Sequence, residues 1–265
     1  MASSILNLPA FEKRPWHTGS VPVLHLVGVP IGSPDEISLR ALRVLRNCEL
    51  LICESRKQSA RLFKAWEIDF PRDVCIEWNE HSKEQDPAAV SQLVLKTQSS
   101  VYMSDQGMPV LADPGAALIE SAREHGIQVD VIPGPTAMTT ALCLAGWGNT
   151  GFRFLGFAPR KRQLRQDYIR ELFQTDRLVG QTLVLYETPY RLHSLLEKLQ
   201  QAARNTRLAV DVAVAVNLGL PDQYFWSGSF GDLGRELTRI PKGPPVVMLH
   251  FHSRRGASPH KRSRL

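Results

Sequence analysis

Short apolar runs alternate with amphipathic segments along the first half of the chain. The run at 21–28 predicts a strand, and the next segment predicts a helix that places Leu39, Leu42 and Leu45 on one face. Strands that alternate with helices indicate an α/β domain with a mainly parallel sheet. The same reasoning predicts further strands at 50–53, 101–103 and 129–132, and helices at 34–45, 59–66, 88–96, 116–125 and 136–145.

The second half of the chain has a similar pattern, but two of its strands follow one another without an intervening helix. This arrangement predicts a mixed sheet that is more antiparallel towards its end. The predicted strands are 152–157, 181–186, 207–216, 223–229 and 245–251, and the predicted helices are 162–174, 190–203 and 231–238.

The segment Gly146-Trp147-Gly148-Asn149-Thr150-Gly151 separates these halves. It matches Gly-x-Gly-x-x-Gly, but a helix precedes it and a strand follows, which is the reverse of the order in dinucleotide-binding folds. We therefore interpret it as a linker. The predicted organisation is a flexible tail at 1–20, an N-terminal α/β domain at 21–146, a C-terminal α/β domain at 147–252 and a basic disordered tail at 253–265.

Composition narrows the class of protein. Of the 265 residues, 43% are hydrophobic and 22% are charged, which is ordinary for a globular protein in water. No apolar run approaches the roughly 20 residues that span a bilayer, and the first residues make a poor signal peptide. The four cysteines form no Cys-x-x-Cys pair, so we expect reduced thiols, a cytoplasmic protein and no metal site.

Positive charge is concentrated at the end of the chain. The formal net charge is +6, and 253–265 alone contains five basic residues and no acid. Such a tail is typical of segments that bind a polyanion, and RNA is the expected partner. A tail that only increases solubility is the alternative interpretation.

Three loops rich in Gly and Pro follow predicted strands. They lie at 27–33, 104–115 and 132–137, and the second of them has two Pro, two Gly and no Lys. Glycine lets the backbone approach a ligand closely, and proline fixes the shape of a loop before a ligand arrives. Because parallel strands end at one edge of a sheet, we expect the loops to meet there around a neutral or zwitterionic ligand.

These loops and other motifs resemble those of methyltransferases with the tetrapyrrole methylase fold, in particular the branch that methylates a ribose 2′-hydroxyl of small-subunit ribosomal RNA. They occur in family order over most of 21–251. The motifs are Val29-Pro30-Ile31-Gly32, Ile37-Ser38-Leu39-Arg40-Ala41-Leu42, Glu54, Ser104-Asp105 through Asp113-Pro114-Gly115, Pro133-Gly134-Pro135-Thr136-Ala137, Gly156-Phe157-Ala158-Pro159-Arg160-Lys161 and Tyr186-Glu187-Thr188-Pro189-Tyr190-Arg191.

The resemblance implies a two-domain α/β homodimer that binds S-adenosylmethionine in a cleft between its domains. It also implies that backbone groups of the loops hold most of the cofactor. The residues that it assigns to the cofactor are Pro30, Gly107, Met108, Pro109, Leu111, Thr136, Ala137, Asn217 and Pro245.

Glu54 follows a predicted strand and is the candidate catalytic base towards a hydroxyl acceptor. A capping or ion-paired role for Glu54 is the alternative. Arg160 and Lys161 precede a helix whose dipole they oppose, so they are candidates to bind RNA phosphates, with a solvated helix face as the alternative. Arg191 is the third candidate substrate-binding residue, although its spacing from Glu187 also fits a pair within one helix.

This chain departs from the branch at several segments, and most seriously at 215–220. Where the branch has Ala-Arg-Glu-Leu-Thr-Lys, this chain has Ala215-Val216-Asn217-Leu218-Gly219-Leu220, without an Arg, a Glu and a Lys. Two alternatives to an RNA methyltransferase follow from this departure and from the wider fold. One is a non-catalytic protein that binds RNA or senses the cofactor, and the other is a methyltransferase for a small molecule such as a tetrapyrrole.

Overall fold

The computed structural model describes residues 21–80, 86–149, 151–173, 178–206 and 208–252, and the backbone of 263–264. The predicted tail at 1–20 and nearly all of the predicted tail at 253–265 lie outside these ranges. The described chain forms two compact units, one from residues up to Pro30 together with Pro34–Pro135, the other from Ile31–Ser33 together with the chain from Thr136 onwards. This division precedes the helix at 137–145, whereas the predicted boundary follows that helix.

The first unit contains a five-stranded sheet in which every pairing is parallel, in the order β3-β2-β4-β1-β5. The predicted parallel sheet is therefore confirmed, although β3 is not among the strands predicted from the sequence. Its strands are β1 (Val23–Val27), β2 (Leu50–Cys53), β3 (Cys75–Glu77), β4 (Ser99–Met103) and β5 (Gln128–Ile132), and its helices are α1 (Leu39–Arg46), α2 (Arg56–Ala65), α3 (Pro87–Val94) and α4 (Ala116–Glu124).

Helices cover both faces of this sheet. One apolar cluster packs α1 and α2 against side chains such as Val27 and Met103, and a second packs α3 and α4 against side chains such as Leu26 and Tyr102. Because both faces are buried, the central strands are nearly continuous apolar runs, which is the pattern that the sequence shows.

The second unit contains a six-stranded mixed sheet in the order β11-β9-β8-β10-β7-β6. Strands β6 and β7 pair in parallel, and the other pairings are antiparallel, so the predicted mixed sheet is confirmed. The strands are β6 (Gly151–Phe157), β7 (Gln181–Tyr186), β8 (Ala209–Val216), β9 (Tyr224–Ser229), β10 (Pro245–His252) and β11 (Ser263–Arg264), and the helices are α5 (Ala137–Ala145), α6 (Arg162–Leu172), α7 (Leu192–Arg204) and α8 (Phe230–Glu236).

Helices cover both faces of this sheet as well. Helix α5 packs on one face, while α6, α7 and α8 pack on the other. Within the described residues, no helix has both the length and the apolar character needed to cross a membrane.

Capping residues account for two helices that begin elsewhere than predicted. The helix expected at 34–45 is interrupted, because Ser38 caps α1 by accepting a hydrogen bond from the Ala41 N–H at 3.1 Å. The helix expected at 59–66 begins earlier, at Arg56, because Ser55 accepts from the Gln58 N–H at 3.3 Å. Ser55, and not Glu54, is therefore the capping residue at the end of β2.

Candidate active site

The three Gly- and Pro-bearing loops of the first unit meet at the carboxyl edge of its sheet. Strands β4, β1 and β5 are neighbours, so the loops that follow them begin side by side. The Val29 N–H donates to the Gly107 carbonyl at 2.9 Å, and the Gly107 N–H donates to the Pro30 carbonyl at 3.3 Å. The Gly28 N–H donates to the Ile132 carbonyl at 3.0 Å. These backbone bonds hold the loops in one rigid group.

Gly28, Met108 and Gly134 form what we call the loop junction. A Cβ added to Gly28 would lie 2.5 Å from the Met108 sulfur and 2.6 Å from the Gly134 nitrogen. A Cβ added to Gly134 would lie 2.8 Å from the Gly28 carbonyl carbon. The Gly134 N–H also points at the Met108 sulfur, 3.2 Å away. Only glycine fits at the two backbone positions, since either methyl group would overlap the neighbouring loop.

Asp113 braces the loop at 104–115. Its carboxylate accepts hydrogen bonds from the Val110 N–H at 2.7 Å, the Gly115 N–H at 2.9 Å and the Tyr102 hydroxyl at 3.1 Å. Val110 has a φ of 72°, which is rare for a β-branched residue. Strain of this kind persists only where the surrounding bonds enforce it, and it is commonly found at ligand-binding loops.

The predicted cofactor-binding residues of the first unit lie on two of these adjoining loops. Pro30, Gly107 and Pro109 are buried, Met108 is partly exposed and Leu111 is 42% exposed. Gly107 has a φ of 74°, a conformation that favours glycine. The structure thus brings these residues together, and their binding of a cofactor stays a prediction.

A pair of carboxylates lies beside the loops. Glu54, at the end of β2, accepts a hydrogen bond through Oε2 from the Asp105 N–H at 3.2 Å. Burial and the charge of Glu54 raise the pKa of Asp105 from 3.8 to about 6. Asp105 Oδ1 is buried and has no hydrogen-bond partner among the residues that the structure describes. An acceptor in this state is suited to receive a proton, so Asp105 joins Glu54 as a candidate base.

Sequence reasoning placed Asp105 within a motif but gave it no chemical role. The available signal was its position two residues after the end of β4, close to the level at which Glu54 directly follows β2. Because β2 and β4 are paired and parallel, their following residues come together. That pairing could not be deduced from the order of strands along the chain.

In the second unit, the predicted residues gather at one edge of the mixed sheet. Strands β6, β7 and β8 end at this edge and β10 begins there, because β7 and β8 both run antiparallel to β10. Arg160 and Lys161 follow β6 and are exposed, Arg191 follows β7, and Asn217 follows β8. Pro245 begins β10 and pairs with Val216.

Thr136 and Ala137 are close to the same edge. Thr136 caps α5 by accepting from the Thr139 N–H at 3.2 Å, and Ala137 is the first residue of that helix. The next residue, Met138, donates its N–H to the hydroxyl of Tyr186, the last residue of β7, at 3.0 Å. The role of Thr136 and Ala137 in binding a cofactor stays a prediction.

Asn217 occupies a tight turn. Its φ is 54°, and its side-chain amide donates to Asp222 at 2.7 Å. A Cβ on Gly243 would lie 1.6 Å from Asn217 Oδ1, and a Cβ on Gly32 would lie 2.4 Å from the Leu218 carbonyl oxygen. The two glycines therefore leave room for this turn.

Glu187 and Arg191 form an ion pair in the turn before α7, not within one helix as the sequence alternative supposed. Glu187 also accepts from the Thr188 N–H at 2.7 Å. Glu187 Oε2 and Arg191 Nη1 are buried and lack hydrogen-bond partners within the described residues. Each of these groups can therefore bind one more polar partner.

The described part of the chain contains no group of three or more His, Cys, Asp or Glu side chains that could hold a metal ion. The Cys53 and Cys75 sulfurs lie 3.5 Å apart beneath the carboxyl edge of the first sheet, and both are free thiols.

Comparison with known proteins agrees with this arrangement. Residues 23–234 match the family model described as Tetrapyrrole (Corrin/Porphyrin) Methylases. Relatives named "Ribosomal RNA small subunit methyltransferase I" include one from Leptospira borgpetersenii serovar Hardjo-bovis, 30% identical over 85% of this chain and 87% of the relative. One from Hydrogenobaculum sp. is 31% identical over 85% of this chain and 94% of the relative.

Solved structures support the fold. A uroporphyrin-III-C-methyltransferase from Thermus thermophilus superposes with a TM-score of 0.59 at 19% identity, covering 86% of this chain and 94% of that one. A cobalt precorrin-4 methyltransferase superposes with a TM-score of 0.61 at 15% identity, covering 88% and 98%. The resemblance drawn from the sequence motifs is thereby confirmed.

Proposed function

Because the chain belongs to the tetrapyrrole methylase family and is a methyltransferase, we propose that it transfers a methyl group from S-adenosylmethionine to a ribose hydroxyl of small-subunit ribosomal RNA. The names of the relatives support the RNA acceptor. The tetrapyrrole alternative is not favoured, since the tetrapyrrole enzymes compared are at most 19% identical and show the fold alone. A non-catalytic protein is not favoured either.

The loop junction fits the cofactor. Close packing of Gly28 against Gly134 holds the two loops together at one edge of the sheet, and a side chain at either position would push them apart. The loop at 104–115 has no Lys, and its Asp113 is occupied by three hydrogen bonds. S-adenosylmethionine, when bound, supplies a methyl group on a positively charged sulfur. We retain Pro30, Gly107, Met108, Pro109, Leu111, Thr136, Ala137, Asn217 and Pro245 as the proposed binding residues.

Asp105 removes the proton of the acceptor hydroxyl, and Glu54 assists it through its charge. With a pKa of about 6, Asp105 is ionised at neutral pH and is still a stronger base than an ordinary aspartate. The orphaned Oδ1 of Asp105 accepts the proton, and the negative charge of Glu54 favours the protonated product. The single observation that carries this mechanism is the buried Oδ1 of Asp105, unpartnered within the described residues, beside Glu54 and the glycine loops.

Basic residues at the edge of the second sheet bind the RNA. Arg160 and Lys161 are exposed and follow β6, while Arg191 follows the adjacent β7. We propose that the three contact phosphates and so position the strand, without selecting its sequence. The family resemblance further supports a homodimer in the cytoplasm.

Incubation with methyl-labelled S-adenosylmethionine and unmodified small-subunit ribosomal RNA tests the proposal. We expect label in the RNA with the natural chain, and a loss of about 100- to 10,000-fold in kcat for Asp105→Asn, the range for a general base. Cofactor affinity of that variant, measured by calorimetry, should be unchanged. The matched control is Asp69→Asn, at an exposed position on the same unit.

Absence of label from all small-subunit RNA would refute the acceptor. Full activity of Asp105→Asn would refute its role as the base, and Glu54→Gln would then be the variant that should lose activity.

A further inference from the structure

The start of helix α6 concentrates positive charge in the second unit. Arg162 is its first residue, Arg165 follows one turn later, and the first turn contains no acidic residue. Lys161 occupies the capping position and makes no capping hydrogen bond through its side chain. The N–H groups of a first turn, like its dipole, favour an anion. Cations at this end are unfavourable unless an anion joins them.

The burial of Arg165 is an independent indication that this end of α6 binds an anion. The residue is only 8% exposed, and its Nε and Nη1 are buried without a hydrogen-bond partner among the described residues. A guanidinium cannot lose its proton in a protein, so this group stays charged. A buried charge without a partner is costly to the folded chain, whereas pairing with an anion removes much of that cost.

Lys198 extends the cluster across to helix α7. Partial burial, followed by the charges of Arg165 and Arg162, lowers the pKa of Lys198. The two neighbouring charges that lower this pKa are both positive. Lys198 also lines a cavity of about 430 Å³ between α6 and α7, together with polar residues such as Gln166 and Gln201.

We propose that the start of α6, with Arg162, Arg165 and Lys198, binds a phosphate group of the RNA backbone. Arg162 is exposed and Lys198 partly exposed, so both can reach a phosphate at the surface, while Arg165 adds charge from beneath. Arg160 and Lys161 stand directly before this site and continue it along the sheet edge. The inference rests on the proposed RNA substrate, and a free phosphate ion is the other source of the same chemistry.

The informative variant is Arg165→Met, which keeps the apolar stem and removes the charge. Its affinity for a labelled single-stranded RNA oligonucleotide should fall about 10- to 100-fold, because a cation close to the bound phosphate is lost. The slope of log affinity against log salt concentration should fall by about 0.7 for each lost phosphate contact. Lys198→Gln should show the same two changes, and the control Lys64→Gln, exposed on α2, should show neither.

A purely structural arginine would give a different result. If Arg165 only stabilised the fold, Arg165→Met would lower the melting temperature, whereas the proposal expects that temperature to stay level or rise without RNA. An unchanged RNA affinity and salt slope, together with no effect of inorganic phosphate on melting of the natural chain, would overturn the proposal. Stabilisation by inorganic phosphate that Arg165→Met abolishes, with RNA affinity unchanged, would support the site and assign it to a free anion.

Methyl transfer to ribosomal RNA, measured on the same samples, separates this inference from the proposed function. Suppose that the natural chain binds RNA but transfers no methyl group, and that Arg165→Met loses RNA binding. This result would contradict the proposed function and support the phosphate site. Equal KM for RNA in an active natural chain and in Arg165→Met, together with no effect of inorganic phosphate on melting, would contradict the phosphate site alone.

Discussion

Replacing Gly28 by alanine tests whether the loop junction is as tightly packed as the structure indicates. The new Cβ would lie 2.5 Å from the Met108 sulfur, 2.6 Å from the Gly134 nitrogen and 2.7 Å from the Gly134 Cα. Met108 can move its flexible side chain, but Gly134 presents backbone. Because ordinary contacts lie near 3.5–4.0 Å, the loop after β5 must move by about 1 Å.

The size of the effect follows from this displacement. Overpacking of this kind typically costs about 1–3 kcal/mol of stability. For a domain of 150–250 residues, each kcal/mol lowers the melting temperature by about 2–4 °C, so we expect a fall of about 2–12 °C. Misplacement of a binding loop by about 1 Å also lowers catalysis by about 100-fold.

Gly148→Ala provides the matched control. A Cβ at Gly148 would meet nothing within 4 Å, and this glycine is not among those with positive φ. We expect its melting temperature to stay level or to rise slightly, because alanine restricts the unfolded chain. Thermal unfolding by circular dichroism and calorimetric titration of S-adenosylmethionine would be measured for both variants. Equal melting temperature and equal cofactor affinity for Gly28→Ala and the natural chain would refute the tight junction and the cofactor site built on it.

Three further predictions concern the same unit. Asp113→Ala removes the acceptor of three hydrogen bonds, so amide hydrogen exchange at 104–115 should become faster and cofactor affinity should fall. The raised pKa of Asp105 disfavours its ionisation in the folded state, so the free energy of unfolding should fall as the pH rises from about 4 to about 6. Over the same range kcat/KM should rise, because the ionised carboxylate is the base. Asp105→Asn should show neither pH dependence when melting temperature and rate are measured. Met108→Arg should abolish cofactor binding in calorimetry, because it places an unpaired charge at the loop junction.

Much of the fold could be predicted because burial leaves a direct pattern in the sequence. Strands β1, β2 and β4 are covered on both faces, so each contains a short run of mostly apolar residues that is easily recognised. The predicted starts of α1 and α2 differ from the structure, because each start depends on one capping hydrogen bond, made by Ser38 or Ser55. The spacing of apolar residues does not indicate where such a bond forms.

The chemistry of the site was less accessible from sequence. The glycine loops can be recognised because Gly and Pro directly after a strand are typical of ligand-binding loops. The raised pKa of Asp105 cannot be recognised in this way, because it depends on Glu54, which is 51 residues away along the chain. Likewise, nothing in the spacing of Arg162 and Arg165 indicates that only Arg165 is buried without a partner. Such properties arise from packing between elements, and they become visible only when the topology is known.

The departure at 215–220 can be understood from the packing of the second unit. Val216, where the related branch has Arg, is fully buried in the apolar cluster under α6 and α7. Asn217, where the branch has Glu, is held by Asp222 and enclosed by Gly243. Neither residue is free to meet a substrate charge. The phosphate contacts that we propose for Arg162 and Lys198 would supply positive charge in this unit instead. We accordingly expect that restoring Arg at 216 alone would disrupt the core without increasing RNA affinity.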